Sequence, residues 1–415
     1  MNAQRLASQT KAVGEECLFC STCKSRFGLN PLLYCPSCKY ALEYRAISTK
    51  GATQLRACLL DNQRTSSRSG HFRFIDFLPV PPLDDITSLG EGNTPLLHCE
   101  RMQERYSLRR LYCKDEGRNP TGSWKDRAVS VVVNCAKAFG YRTVSVYSCG
   151  NAGGSTAAYA ARAGMRSVVF VLPTIDREMS GRMTAYGGRV VPIQTSRKDL
   201  WTTSKLGDLL EDAQRQRGWF PVTSVRSPYV GSPFYTEGFK TIAFEIFQEL
   251  GEHVPDWVFV PAGTGEGLSG VWKGFRDIQS IGCSHKLPKM VGVQSENAAP
   301  LVHAYQRLIR SGSSMIRTVG GPRTCCENHR QSRISLGAIT WVTIRCLRWR
   351  GCGNAPVRCR LRLPVEIGRS QTGELAKQGE HSLCWIEMFC SRKSTVPRKE
   401  PKQSSSYLGE SGESQ

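Results

Sequence analysis

Between residues 86 and 315, short apolar runs rich in β-branched residues alternate with longer stretches of helical periodicity. Thr143-Val144-Ser145-Val146-Tyr147-Ser148 predicts a strand, and 152–162 a helix behind it. Ser167 to Leu172 predicts a second strand closed by Pro173, 177–186 a helix, and Arg189-Val190-Val191-Pro192-Ile193 a third strand. A long helix is expected over 198–217 and another from Arg127 through Phe139. Residues 257–260 and 290–293 are further buried-type strands, with a helix over 267–279 between them. Continuous apolar strands alternating with helices mean α/β architecture, with parallel sheets covered on both faces. In such folds ligands meet the carboxyl ends of the strands. Outside this region lie a cysteine cluster at 17–38, a linker-like stretch at 48–85 ending in Phe77-Leu78-Pro79-Val80-Pro81-Pro82, and a compositionally different stretch after Arg317. No internal repeat is present.

A chain of 415 residues is long enough for two or three domains with their own cores. No run of eighteen apolar residues occurs, so no membrane span is expected. Residues 1–16 are polar and lack the apolar core of a secretion signal, which makes a cytoplasmic address the expectation. The formal net charge is +21, unevenly spread, because the last Asp is Asp277 while Arg and Lys continue to the end. A positive field suits anionic cofactors and phosphorylated substrates. Nothing interleaves aromatic with basic residues, so nucleic acid is not an expected partner.

Eighteen cysteines in a chain without a secretion signal point to metal ligands and buried thiols rather than disulfides. Cys20-Ser21-Thr22-Cys23 and Cys35-Pro36-Ser37-Cys38 are two CxxC pairs eleven residues apart, a spacing that brings four thiolates to one zinc ion. Cys17 adds an overlapping CxxC that competes as a ligand. The plainer alternative is a knuckle that keeps its shape without metal.

Four glycine-containing motifs carry the remaining chemistry. In Asn119-Pro120-Thr121-Gly122-Ser123-Trp124-Lys125-Asp126-Arg127, the turn residues put Lys125 at a helix start. A helix N-terminus favours the neutral, nucleophilic amine. A solvated lysine beside Asp126 is the alternative. Ser148-Cys149-Gly150-Asn151-Ala152-Gly153-Gly154-Ser155 follows a strand and opens a helix, which fits either an anion site or a tight turn. Val260-Pro261-Ala262-Gly263-Thr264-Gly265-Glu266-Gly267-Leu268 repeats that arrangement, although Glu266 is awkward in an anion site. Leu89-Gly90-Glu91-Gly92-Asn93-Thr94-Pro95-Leu96 by itself is a turn ahead of a strand.

Taken in order, Glu91 to Leu96, Lys114 to Arg127, Ser148 to Ser155, Glu237-Gly238-Phe239-Lys240-Thr241 and Val260 to Gly267 closely resemble threonine synthase and its nearest relatives among the tryptophan-synthase-β-like enzymes that use pyridoxal phosphate. The resemblance spans about residues 15–315, including a zinc-knuckle segment. It implies fold type II: two parallel-sheet, three-layer domains behind a small cysteine segment. The expected division is 15–45 for that segment, 46–127 and 231–316 for the large domain, 128–230 for the small domain and 317–415 for a basic tail.

The resemblance also implies that Lys125 carries the cofactor and moves the α and β protons of the substrate. Asn151 would contact the cofactor's ring hydroxyl, and Gly263, Thr264, Gly265 and Gly267 its phosphate. Ser148, Asn151, Ala152 and Gly153 would lie near the substrate carboxylate. The implied reaction converts O-phospho-L-homoserine and water to L-threonine and phosphate, with an amino acid as the small-molecule substrate and a homodimer as the assembly. Ser224, Arg226 and Lys240 are candidate donors to the leaving phosphate. Their segment, Thr223 to Tyr229, departs from the Asn-rich pattern of the family, which keeps a serine or threonine dehydratase and a cysteine- or cysteate-type β-replacement synthase open. A non-catalytic binding protein that kept the fold is the alternative from another class, and an intact Lys125 argues against it.

After Arg317 the resemblance stops. Cys325-Cys326, Arg345-Cys346-Leu347-Arg348-Trp349-Arg350 and Val357-Arg358-Cys359-Arg360-Leu361-Arg362 read like translation in a shifted frame, and the Ser-, Lys- and Glu-rich end like a disordered one. The expectation is that the large sheet lacks its last strands. A basic appendage for an acidic partner is the competing reading.

Overall fold

The computed structural model describes residues 18–45, 51–60, 70–148, 150–193, 205–223, 232–295, 299–311, 339–344 and 382–387. In chain order, β1 (Leu18–Phe19), β2 (Arg26–Phe27) and β3 (Glu43–Tyr44) form a small antiparallel sheet of order β2-β1-β3 around the cysteine pairs. Helix α1 (Ala52–Leu60) and a 3-10 segment (Gly70–Phe77) follow. Then come β4 (Leu96–His98), α2 (Glu100–Arg105), β5 (Arg110–Asp115) and α3 (Lys125–Ala138). The next units are β6 (Thr143–Tyr147), α4 (Asn151–Arg162), β7 (Arg166–Val171), α5 (Arg177–Ala185), β8 (Arg189–Pro192), α6 (Lys205–Arg217) and β9 (Phe220–Pro221). The chain continues through α7 (Tyr235–Gly238), α8 (Lys240–Glu249), β10 (Trp257–Pro261), α9 (Glu266–Ser280), β11 (Lys289–Ser295), α10 (Pro300–Ser311), β12 (Ile339–Ile344) and β13 (Ser382–Glu387).

The strands form two larger sheets. One has four parallel strands in the order β8-β7-β6-β9. The other has six in the order β12-β11-β10-β13-β5-β4, parallel except for the edge pair β4–β5. The α/β reading of the hydrophobic pattern therefore holds. Residues 194–204, which include the first turns expected of the 198–217 helix, lie outside the described residues.

Two expectations are corrected. The stretch 48–85 is no linker over its described part: Leu55 and Leu59 of α1 and Phe72, Phe74 and Phe77 of the 3-10 segment are buried in the main core. Phe244 of α8 meets Phe74 at 5.3 Å and Phe77 at 4.5 Å between ring centroids. The pattern was hard to read because a kinked 3-10 segment of eight residues places apolar residues with neither strand nor α-helix periodicity. The large sheet also does not end at β11. β12 lies parallel beside β11, and β13 is inserted between β10 and β5. Each is a six-residue run, ITWVTI and SLCWIE, dominated by β-branched and apolar residues. Such a run suits a parallel strand whatever the Arg content of its flanks. The other tail segments singled out above, 325–326, 345–350, 357–362 and the Ser-rich end, lie outside the described residues.

Candidate active site

Three strands of the two sheets end in loops that each open a helix. β5 runs through a short 3-10 turn (Glu116–Arg118) and the Asn119–Trp124 turn into α3, whose first residue is Lys125. β6 leads through Ser148 and Gly150 into α4 at Asn151. β10 leads through Ala262 to Gly265 into α9 at Glu266. These are the carboxyl ends at which α/β folds place ligands.

Lys125 is half-buried, and its amine stands over three aromatic rings: Phe239 at 5.3 Å, Tyr235 at 5.4 Å and Trp124 at 5.6 Å from the centroids. Burial pushes the amine below its ordinary range, and the Glu266 charge opposes that only in part. Such a shift favours the neutral amine, the form that attacks a carbonyl. Trp124 joins this helix start to the third loop, since a Cβ on Gly267 would overlap its indole. That contact requires glycine at 267. Asp126 joins it to the second loop: it accepts hydrogen bonds from Ser155 Oγ at 2.6 Å, Thr121 Oγ1 at 2.6 Å and the Thr121 amide at 2.7 Å. Burial lifts the Asp126 carboxyl to about 6, against these donors.

In the second loop, Ser148 Oγ accepts from the Gly150 amide at 3.2 Å, and Asn151 Oδ1 accepts from Arg182 at 3.1 Å. Because arginine only donates, the Asn151 oxygen is turned toward α5 and its amide NH2 is the group left to face elsewhere. Ala152 is half-buried, and Gly153 packs its Cα against Met183 and Val169. Cys149 lies outside the described residues. In the third loop, Gly263 is exposed with open space where a Cβ would be, and Gly265 has φ +92°. Thr264 Oγ1 donates to Glu266 Oε2 at 2.9 Å.

Sequence reasoning missed how much of the motif set is scaffold. Arg127, fully buried, donates to Glu116 (2.7 and 2.8 Å) and to Glu245 (2.8 Å to each oxygen). Burial pulls its guanidinium down, and Glu116 and Glu245 overcome that and raise it. Lys114 is buried between the Thr94 carbonyl (2.6 Å), Glu245 (2.9 Å) and Glu249. Thr94 donates to Glu116 at 2.7 Å, and Asn119 ties Glu116 to the Gly92 amide. Glu91 accepts from Tyr159 at 2.9 Å and faces His71 at 3.3 Å. Burial alone would raise Glu91, but His71 brings it down to about 2. The signal available was the density of charged residues in motifs flanked by apolar helices.

Lys240 does not reach the cleft. It is fully buried between Glu237 and Asp277, each at 2.8 Å, so the reading of it as a phosphate donor is corrected. Ser224 and Arg226 lie outside the described residues. At the other end, Cys20, Cys23, Cys35 and Cys38 bring their sulfurs within 4.8 Å of one another. Ser25 hydrogen bonds draw Cys23 down to about 6, while burial lifts Cys20 to about 12. Cys17 lies outside the described residues. Among the described residues no helix is long and apolar enough to cross a membrane.

The model of the family described as pyridoxal-phosphate dependent enzyme matches residues 87–345, a span that passes the point where the motif resemblance stops and takes in β12. Threonine synthase of Methanocaldococcus jannaschii is 32% identical over 295 residues, covering 69% of this chain and 67% of that protein. Threonine synthase of Methanosarcina acetivorans is 33% identical over 255 residues, covering 61% of this chain and 58% of its own length. Holo diaminopropionate ammonia lyase from Escherichia coli superposes with a TM-score of 0.53 at 17% identity, over 73% of this chain and 85% of that one, a likeness of fold. With the family span covering more than half of the chain and Lys125 at the meeting of the three loops, the chain belongs to the pyridoxal-phosphate dependent enzyme family and resembles its threonine-synthase-like lyases.

Proposed function

We propose that this chain is a pyridoxal-phosphate-dependent lyase of threonine-synthase type, which converts O-phospho-L-homoserine and water to L-threonine and phosphate. The observation that supports it best is the Lys125 amine, held over three aromatic rings where the three strand-end loops converge, with burial pushing it below its ordinary range. The residues present fit the cofactor. The open space over Gly263 and the left-handed turn at Gly265 leave backbone N–H groups at the start of α9 for a phosphate, and Asn151 offers its NH2 to a ring oxygen.

In this reading Lys125, Asn151, Gly263, Thr264, Gly265 and Gly267 hold the cofactor, and Ser148, Asn151, Ala152 and Gly153 receive the substrate carboxylate. When bound, pyridoxal phosphate supplies the electron sink for the carbanion. Lys125 supplies the proton transfers at the α and β carbons, and its aromatic surround keeps water from competing for that proton. A cytoplasmic homodimer divided at 45/46, 127/128, 230/231 and 316/317 belongs to the same proposal.

The cysteine cluster is read as a zinc site. Zn–S bonds of 2.3 Å in a tetrahedron space the sulfurs about 3.8 Å apart. The observed 3.4 Å between Cys20 and Cys38 and 3.5 Å between Cys23 and Cys35 are close to that spacing. Near one equivalent of zinc by elemental analysis, lost in Cys23→Ser/Cys38→Ser, is the expected result.

The function is tested on the protein purified with pyridoxal phosphate. A visible band, fixed on Lys125 by borohydride and absent from Lys125→Ala, is expected, with threonine and phosphate released from O-phosphohomoserine. Loss of turnover in Lys125→Ala by about 10²–10⁴-fold accompanies it. Keto-acid production from serine or threonine without reaction of O-phosphohomoserine would replace this reading by a dehydratase.

A further inference from the structure

Helix α5 lies against the glycines of the second strand-end loop. A Cβ on Gly153 would crowd Met183 at 2.6 Å and Val169 at 3.0 Å, while one on Gly154 would sit 3.7 Å from Arg182 Nε. This close approach lets the half-buried Arg182 run over Gly154 to the start of α4. There its Nη2 donates to Asn151 Oδ1 at 3.1 Å and to Met179 Sδ at 3.3 Å. No carboxylate among the described residues pairs with it. Asp176, at the head of the same helix, accepts from the Glu178 amide at 2.9 Å, and Glu178 is exposed. Arg182 thus differs from Arg127, Lys114 and Lys240, whose charges are met by carboxylates.

An asparagine amide has two different ends. Its terminal torsion is broad and roughly two-fold, so by itself it presents oxygen or NH2 with little preference. A guanidinium has donors only, so Oδ1 is the atom held against α5 and the NH2 points away from it. The bond is charge-assisted and draws electron density from the amide, which makes the NH2 a stronger donor. A cofactor ring oxygen accepts from that NH2. With the amide turned over, oxygen would face oxygen.

Resting on the cofactor reading above, we propose that Arg182 is a positioning residue, which locks the Asn151 amide with its NH2 toward the cofactor's ring oxygen and strengthens that donor through its charge. Its effect runs through Asn151. Among the described residues it has no bond to Lys125 or to the loop before α9, so recognition of the aldehyde and of the phosphate does not depend on it. Helix α5, which carries none of the glycine motifs, thereby becomes part of the site.

The test compares pyridoxal phosphate with 3-deoxypyridoxal phosphate, which keeps the aldehyde and the phosphate and lacks the ring hydroxyl. Dissociation constants of both are measured by fluorescence titration of the cofactor-free protein. The parent is set beside Arg182→Met, Arg182→Lys, Asn151→Ala and Asn151→Ala/Arg182→Met. Methionine keeps an apolar stem over Gly154 and removes the donors and the charge. Arg182→Met is expected to bind pyridoxal phosphate about tenfold more weakly than the parent, the size of a charge-assisted hydrogen bond, and 3-deoxypyridoxal phosphate equally well. Arg182→Lys, which keeps the charge and a donor, should recover part of the loss. In the Asn151→Ala background Arg182→Met should add nothing. A loss of the same size for both cofactors marks a merely structural role and overturns the proposal. A loss that persists without Asn151 overturns it too, as does unchanged binding of pyridoxal phosphate by Arg182→Met. If the parent binds neither cofactor saturably, the cofactor reading fails and takes this proposal with it. If binding is saturable but insensitive to Arg182, only the role of Arg182 falls.

Discussion

Lys125 and Arg127 are two cations, two residues apart on the first turn of α3, with opposite surroundings. Arg127 is fully buried and meets all four carboxylate oxygens of Glu116 and Glu245, with Thr94 and Thr241 completing its set. Among the described residues, Lys125 has aromatic faces and one charge that reaches it, that of Glu266. Burial disfavours charge at both positions. At Arg127 the carboxylates outweigh burial, and at Lys125 burial outweighs Glu266. A side chain whose hydrogen-bonding capacity is filled by its own fold has nothing left to offer a ligand. The same contrast separates Lys114 and Lys240, both locked between carboxylates, from Glu266, whose Oε1 has no partner among the described residues.

The comparison breaks most directly at Arg127. Arg127→Ala leaves Glu116 buried without its cation and Glu245 with Lys114 and the more distant Arg73 only, and removing one partner of a buried pair costs about 3–5 kcal/mol. Urea unfolding should show a loss of that size, whereas Lys125→Ala should lose clearly less, because it breaks no close ion pair. Equal losses in the two variants would mean that the pairing around Arg127 does not distinguish scaffold from site.

Much of this was legible in the chain. The strands at 143–147, 166–171, 257–261 and 289–295 and the helices between them follow from hydrophobic periodicity, which is strong where both faces of a sheet are buried. Lys125 at a helix start followed from the turn residues before it. The scaffold role of Glu91, Lys114, Glu116 and Arg127 was not legible, because a charged residue reads as solvated until its partner is known, and Glu245 lies 118 positions from Arg127. The close approach of Trp124 to Gly267 was not legible either, because the two residues are far apart in sequence. Two tail strands were missed because the Arg-rich stretch after ITWVTI and the Ser-, Lys- and Glu-rich end after SLCWIE dominated the reading of these short runs.

A smaller and directional effect follows from Asp126, which lies between the two cations. Its carboxyl is lifted from an ordinary 3.8 to about 6, mainly by burial, so the folded protein holds that proton more tightly than the unfolded chain. Its contribution to stability is therefore fully present below about pH 4 and is lost as pH rises through about 6. At about 1.4 kcal/mol per pKa unit, two units bound the loss near 3 kcal/mol. Glu91 runs the other way: lowered to about 2, it stabilises above its ordinary 4.5 and loses that stability as pH falls through 2. Between pH 4.5 and 6 Asp126 is the one of the two that titrates, so unfolding free energies there should fall with pH in the parent and stay flat in Asp126→Asn. A parent that gains stability across that window would mean the Thr121 and Ser155 hydrogen bonds outweigh burial.

The smallest effect is the one expected of an ion pair that the fold does not bury. Arg215 and Asp212 on α6 meet at 2.6 Å, as close as any contact of Arg127, but their side chains are 72% and 47% exposed. Water screens the attraction and solvates either partner when the other is removed, so no charge is stranded. Arg215→Ala should change the unfolding free energy by under about 0.5 kcal/mol, and most of that should disappear in 1 M salt, where the screening length is about 3 Å. The Arg127→Ala loss should persist at the same salt concentration, since ions do not enter its site. A large, salt-resistant loss at Arg215 would show that distance alone sets the strength of these pairs, and the division drawn between Lys125 and Arg127 would then have to rest on contact length instead of on what the surrounding fold leaves unsatisfied.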